Sequence, residues 1–238
     1  MTKNILKTTL VVLSAGSMLT GCDLEQPEAA CFVQDATNWI AKYDQVDEPR
    51  LVVDGVVTDQ ACELVAPKAE LLGVYKFVNP DAGNAATLAL RPQGLASRGL
   101  ADTTTDQSEQ TAIGNFASEA DANDFCGAPT FESARVVTAT GGISYQFSNI
   151  RVYAAPNAPG TQLTGELTYT RDGCRSSYIV SALWPAVGCI AGSTAADESC
   201  GEGSGLNPDF AATCLDGIVC VVGGTACCVP AKAIPSFN

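Results

Sequence analysis

The most regular stretch of the chain is residues 161–184. Leu163, Gly165, Leu167 and Tyr169 alternate with Thr164, Glu166, Thr168 and Thr170; Asp172-Gly173 follows; then Tyr178, Val180, Ala182 and Trp184 alternate with Ile179, Ser181 and Leu183. A period of two is that of a strand with one face in a core and the other in water. With Asp172-Gly173 as a two-residue turn, Leu167 lies opposite Tyr178, Gly165 opposite Val180 and Leu163 opposite Ala182. The apolar sets of both strands then share one face, an agreement that a slip of one residue would destroy.

The same texture recurs along the chain. Ile143-Ser-Tyr-Gln-Phe alternates in this way and continues to Tyr153, and residues 134–139 form a further strand closed by Gly141-Gly142. Leu51 to Val57 carries Asp54-Gly55 between two valine pairs, a tight-turn signal. Residues 69–78 are strand-like up to Asn79-Pro80, and residues 85–90 up to Arg91-Pro92. Residues 36–46 fit both periods. Ala36, Trp39, Ile40 and Tyr43 share a helical face, whereas Trp39, Ala41 and Tyr43 alternate as in a strand; the strand-rich surroundings favour the second. From Gly94 to Gln110 the chain is polar and rich in Gly, Ser and Thr, which predicts a mobile surface loop. Residues 111–117 are a strand candidate, and 118–125 a helical turn with Ser118 as its cap. Many short alternating strands with turn signals between them predict an all-β fold, an antiparallel sandwich or barrel-like domain.

After Pro185 the pattern changes. Residues 185–238 hold six cysteines and eight glycines and few long apolar runs. Such a segment is too poor in core residues to fold without staples, so it is expected to be a disulfide-stapled C-terminal extension packed on the β domain. Val222-Gly223-Gly224-Thr225 reads as another tight turn that would set Cys220 opposite Cys227. Cys227 and Cys228, as strand neighbours, point to opposite faces, so Cys228 is expected to reach a different segment.

The first residues have another character. Lys3 and Lys7 precede an apolar run from Thr9 to Leu19, and Leu19-Thr20-Gly21-Cys22 ends it before an acidic stretch containing Asp23, Glu25 and Glu28. A basic start, a short apolar segment and small residues describe an export signal. The run is too short to span a bilayer, which takes about 20 residues. Leu19 to Cys22 resembles a lipobox, the cleavage and acylation site of bacterial lipoproteins, and this implies that Cys22 is lipidated. The expected organisation is a signal peptide (1–21), an acylated tether (22–30), an antiparallel β domain (31–184) and the cysteine-rich extension (185–238).

Once Cys22 is taken by lipid, ten of the eleven cysteines remain: Cys31, Cys62, Cys126, Cys174, Cys189, Cys200, Cys214, Cys220, Cys227 and Cys228. An even remainder after export fits a disulfide framework in an oxidising compartment. The residues from 22 onward carry a net charge of −15, from 11 basic against 26 acidic side chains. That surface repels phosphate backbones, so nucleic acid is not an expected partner.

The chemistry-bearing residues are few. The chain has no histidine, which excludes Ser-His-Asp and Cys-His sites and removes the commonest zinc ligand. Cys214, Cys220, Cys227 and Cys228 could hold a metal as thiolates, but export and even parity favour disulfides. Asp121, Asn123 and Asp124 cluster oxygens without the spacing of a calcium loop. Asp172 reads as a turn residue and Glu166 as a solvated strand position. Tyr178 and Trp184 could line a sugar or lipid pocket, with core packing the favoured role. No phosphate loop or dinucleotide fingerprint is present. We therefore expect no catalytic residue, no cofactor, no metal and no enzymatic activity.

Asp172-Gly173-Cys174, Tyr178 and Leu183-Trp-Pro-Ala-Val-Gly-Cys189 together resemble a signature of cysteine-rich outer-membrane lipoproteins of the myxobacterial type. Gly205-Leu-Asn-Pro-Asp-Phe210 followed by Cys214 and Cys220, Ala41-Lys42-Tyr43 after Cys31, and Asp124-Phe125-Cys126 fit the same pattern. The segment from Gly223 to Cys228 departs from it. The resemblance implies an all-β envelope lipoprotein of a gliding bacterium, in which such proteins serve motility, adhesion, sorting and cell–cell exchange. The expected function is that of a non-catalytic outer-membrane lipoprotein, held by N-terminal acyl chains and acting through envelope protein partners, with a surface gliding-motility or adhesion assembly as its setting. The alternative is an envelope lipoprotein that binds a lipid, a sugar or calcium; a carboxylate-based hydrolase is a third reading. Asp23 resembles an inner-membrane retention signal, from which Leu24 departs; the outer membrane is the favoured site.

Overall fold

The structure, a computed structural model, describes residues 30–83, 85–101, 105–138, 141–222 and 224–238. Thirteen strands are described: β1 (Ala36–Gln45), β2 (Arg50–Val53), β3 (Val56–Ala61), β4 (Ala69–Asn79), β5 (Ala85–Pro92), β6 (Ala112–Phe116), β7 (Phe125–Thr130), β8 (Ala134–Thr138), β9 (Gly141–Tyr153), β10 (Gln162–Arg171), β11 (Cys174–Leu183), β12 (Ala212–Asp216) and β13 (Ala226–Pro230). One α-helix, α1 (Gln93–Ala101), follows β5.

Eight strands run in the order β6-β5-β4-β1-β11-β10-β9-β7, every neighbour antiparallel. The two ends of this path meet. Ala117 N donates to Gly127 O at 2.9 Å, Glu132 N donates to Ile113 O at 2.9 Å, and Gly114 bridges Phe131. The sheet is therefore a nearly closed barrel, which decides between sandwich and barrel and leaves few open edges. Close approach at the seam explains Gly114, where a Cβ would overlap Thr130 O and lie 3.0 Å from the Phe131 ring.

The β10–β11 hairpin has the register expected from its pattern: Leu167 opposite Tyr178, Gly165 opposite Val180, Leu163 opposite Ala182. Asp172 (φ +52°) and Gly173 (φ +80°) make the turn, and Asp54 (φ +50°) and Gly55 (φ +79°) make the one between β2 and β3, as left-handed two-residue turns require. Residues 36–45 form a strand, as favoured. The inward side chains fill the barrel: Trp39, Leu72, Leu88, Leu90, Tyr145, Phe147, Ile150, Leu163 and Leu167 are at most 1% exposed. Tyr178 belongs to this core, while Trp184 is half-buried and donates Nε1–H to Asn38 Oδ1 at 3.2 Å.

Two local expectations are corrected. The polar stretch 94–110 is not an open loop. Its first part is α1, whose Leu95 is fully buried in the barrel core, and Gln107–Gln110 form a 3-10 turn capped by Asp106. Only one apolar side chain of α1 is needed to plug the barrel, so the stretch shows no periodicity. Residues 118–125 are not a Ser118-capped helical turn either. Ala30 bridges Glu119, and the Asp121 carboxylate accepts from Asn123 N and Phe125 N, an Asx turn that leads directly into β7.

The extension from residue 185 packs over the outer faces of β1 and β11. Phe210, Ile218, Val229 and Ile234 form one cluster with Ile40 and Leu183. Ser236 N donates to Gln162 Oε1 at 2.7 Å and Ala186 N to Asn38 O at 2.7 Å. All ten cysteines from Cys31 onward are paired: Cys31–Cys126, Cys62–Cys174, Cys189–Cys214, Cys200–Cys228 and Cys220–Cys227. The last three lie within the extension, which is held to the barrel by packing and hydrogen bonds. Cys220 does pair with Cys227, but by another route than a direct hairpin. Cys227 stands opposite Leu215 of β12 and Cys220 lies in the loop joining the two strands. Cys227 and Cys228 point into different clusters, as neighbours on a strand must.

Candidate functional site

The barrel has two unlike ends. At one, β1, β5, β7 and β10 begin; the chain enters here at Ala30, Cys31 N donates to Ser118 O at 2.9 Å, and the Cys31–Cys126 bridge clasps the entering segment to β7. At the other, β4, β9 and β11 begin and β1 and β10 end. This far end carries helix α1, the β2–β3 hairpin and a buried polar cluster.

The cluster is built on Glu70, the second residue of β4, which alternation turns inward at 7% exposure. Its Oε2 accepts from Gly94 N at 2.6 Å, at the start of α1. A carboxylate at a helix N-terminus meets free N–H groups and the positive end of the dipole. The Tyr43 and Tyr145 hydroxyls also face this carboxyl, and Tyr145 packs edge-on against Tyr169 with 5.0 Å between ring centres. Glu70 Oε1 and the Tyr43 and Tyr145 hydroxyls are buried without a well-formed hydrogen bond among the described residues. Burial pushes the Glu70 carboxyl above its usual range, although the Gly94 N–H and the two tyrosines pull it down. Burial and the nearby carboxylate raise Tyr43 and Tyr145 well above the ordinary phenol value. Sequence reasoning did not single out Glu70. The signal was an acidic residue at an inward position of a strand, Ala-Glu-Leu-Leu.

Beside α1, outside the barrel, runs a groove of about 510 Å³ whose lining includes Leu71, Tyr75, Arg91, Ala96 and Leu100. The β2–β3 hairpin projects from β11, where Leu51 pairs with Cys174 and Arg50 with Arg175. The Cys62–Cys174 bridge holds its root. There Asp47 accepts from Ser177 N at 2.7 Å and Ser176 Oγ at 2.8 Å. Partial burial raises the Asp47 carboxyl, but these hydrogen bonds outweigh it and hold the group below the usual carboxylate range.

The other residues noted in the sequence fall elsewhere. Asp121 pairs with Arg151 at 2.8 Å, and its bonds from Phe125 N, Asn123 N and Arg151 keep it low. Glu166 is exposed and accepts from Asn149 Nδ2 at 3.0 Å. The sulfurs of Cys189, Cys200 and Cys228 lie within 4.8 Å of one another, but each belongs to a disulfide and offers no thiolate. The signal peptide expected over residues 1–21, the lipidation site expected at Cys22, Asp23 and Gly223 lie outside the described residues. Among the described residues no helix is long and apolar enough to cross a membrane.

No solved structure matches this chain. A family model described as MlpA matches residues 37–185, the barrel without most of the extension. A Myxococcus xanthus protein that carries the name lipoprotein MlpA is 50% identical over 244 aligned residues, which cover 100% of both chains. Together with the all-β fold and the paired cysteines, this agrees with the resemblance seen in the sequence: the chain belongs to the MlpA family.

Proposed function

We propose that this protein is a lipid-anchored envelope protein, acylated at Cys22, that works without catalysis by holding the far end of its barrel toward a protein partner. The name of the Myxococcus xanthus relative supports the anchor, as does the lipobox at Leu19 to Cys22. The carrying observation is polarity: the chain enters at Ala30, at one end of the barrel, while the hairpin bearing exposed Val53, Val56 and Val57 stands at the other. A tether on the entering segment leaves that end free to meet a partner. The absence of histidine and the seclusion of Glu70 beneath α1 favour a role without chemistry. The setting we propose is the outer membrane, in a surface gliding-motility or adhesion assembly. Crosslinking in cells followed by identification of the joined proteins tests the partner role. A deletion strain that glides and attaches normally would count against the setting.

A second reading, ligand binding, is favoured by the groove beside α1. Its apolar wall of Leu71, Ala96 and Leu100 next to the Arg91 guanidinium suits an amphiphile with an anionic head. A rise in melting temperature with a long-chain fatty acid supports this reading; an unchanged melt at millimolar ligand dismisses it.

A further inference from the structure

We propose that the free edge of β3 is the strand-pairing site through which the protein holds its partner, and that the partner supplies an extended, basic segment of polypeptide. This rests on the reading of the protein as acting through protein contacts.

Among the described residues β3 pairs with β2 alone. In a hairpin closed by a two-residue turn, the residues flanking the turn exchange both hydrogen bonds, and the next pair turns its polar groups outward. Val53 and Val56 flank Asp54-Gly55, and Val52 stands opposite Val57. The N–H and C=O of Val57 therefore face away from β2. Val52 behaves accordingly on the other side, donating N–H to Gly173 O at 2.7 Å. Sheet edges are normally blunted by lysine, proline, a bulge or a cover. β3 reads Val-Val-Thr-Asp-Gln-Ala, with neither lysine nor proline; the register shift of the hairpin takes in Thr58 to Gln60, between the pairs Val52–Val57 and Arg50–Ala61, so the regular part of the edge is its tip, Val56-Val57. Val53, Val56 and Val57 are 49%, 67% and 45% exposed. An edge of this composition invites an added strand.

The arm is also preorganised. Cys62–Cys174 ties its root to β11, Arg50 Nη1 donates to Asp59 O at 2.6 Å, and Arg171 Nη1 donates to Val65 O at 3.2 Å. Little order remains to be imposed on binding. Charge selects the occupant. Residues 46–65 hold five acids (Asp47, Glu48, Asp54, Asp59, Glu63) against one base, Arg50. Two copies meeting at this edge would bring like charges together, whereas a strand carrying Lys or Arg is attracted.

The test uses the full-length protein in nanodiscs and a labelled synthetic decapeptide alternating Val or Thr with Lys, beside the same peptide with Glu for Lys. Val57→Pro removes the outward N–H and leaves the β2 ladder whole; Val57→Thr keeps it. We expect the lysine peptide to bind and the glutamate peptide to bind at least about tenfold more weakly, with Val57→Pro costing about tenfold and Val57→Thr less than about threefold. Exchange of the Val57 amide should slow in the complex, and both variants should melt within a few degrees of the parent. Lysine-peptide binding that Val57→Pro leaves intact, or no binding at millimolar peptide, overturns the proposal. Self-association that Val57→Pro abolishes overturns it too, in favour of a second copy. Crosslinking in cells separates the two readings. Partners found without peptide binding remove only the edge assignment; peptide binding without any cellular partner removes the broader role.

Discussion

Glu70 Oε2 accepts a hydrogen bond from the backbone N–H of Gly94 at 2.6 Å. Through this bond the first turn of α1 closes over the barrel mouth, with Leu95 fully buried beside it. A carboxyl raised by burial binds more protons folded than unfolded, so it supports the fold most below the ordinary value of 4.5 and loses that support as pH rises through the higher folded value. Glu70→Gln keeps the acceptor for Gly94 and removes the charge. Thermal melts across pH 4 to 8 should show the parent losing stability as pH rises above about 4.5, with the variant flatter and at least as stable at neutral pH. A parent and variant that fall in parallel would refute this role.

The barrel seam makes its own prediction. A Cβ at Gly114 overlaps Thr130 O, whereas one at Gly127, in β7 on the other side of the seam, meets nothing within 4 Å. Gly114→Ala should cost about 1–3 kcal/mol through overpacking. Gly127→Ala should be close to neutral. Urea unfolding of the two variants measures the contrast.

The bridges differ in the chain length they close. Cys62–Cys174 spans 112 residues and Cys220–Cys227 spans 7. On the chain-entropy model, replacing both cysteines by serine should cost about 5 kcal/mol for the first and about 2.5 kcal/mol for the second. The Cys62/Cys174 variant should also free the β2–β3 arm, seen as faster amide exchange from Arg50 to Ala61.

The lipid assignment is tested at Cys22. Cys22→Ala should leave the membrane fraction, and the N-terminal peptide of the parent should carry the mass of its acyl chains. Thiol titration of the unreduced, unfolded variant should find none free, because the other ten cysteines pair among themselves.

Those features that depend on neighbours in the chain were legible in advance. The β10–β11 register was readable because alternation and Asp172-Gly173 act over a few residues. The same holds for the Asp54-Gly55 turn and for the end of β4 at Asn79. The Cys220–Cys227 pair was inferred from a local turn, and the pair exists although the strand partner of Cys227 is β12. Helix α1 escaped notice because Gly94, Ser97 and Gly99 are weak helix formers. What holds it is distant in sequence: the Glu70 carboxylate at its start and a core that accepts Leu95. Gly99 lies against the side-chain amide of Gln110, which a Cβ there would displace.

By itself the sequence determined the strand-rich character, the tight turns and the even number of cysteines from Cys31 onward, all of which follow from side-chain period, local backbone preference and chemical type. Only the tertiary structure decided that the sheet closes into a barrel, because closure depends on β6 meeting β7 at a seam cut by Gly114. It also decided four of the five bridges, whose partners are 25 to 112 residues apart. Finally, it set Glu70, Tyr43 and Tyr145 against one helix end. Contacts of such range carry no periodic trace along the chain; they exist only where folding brings the strands together.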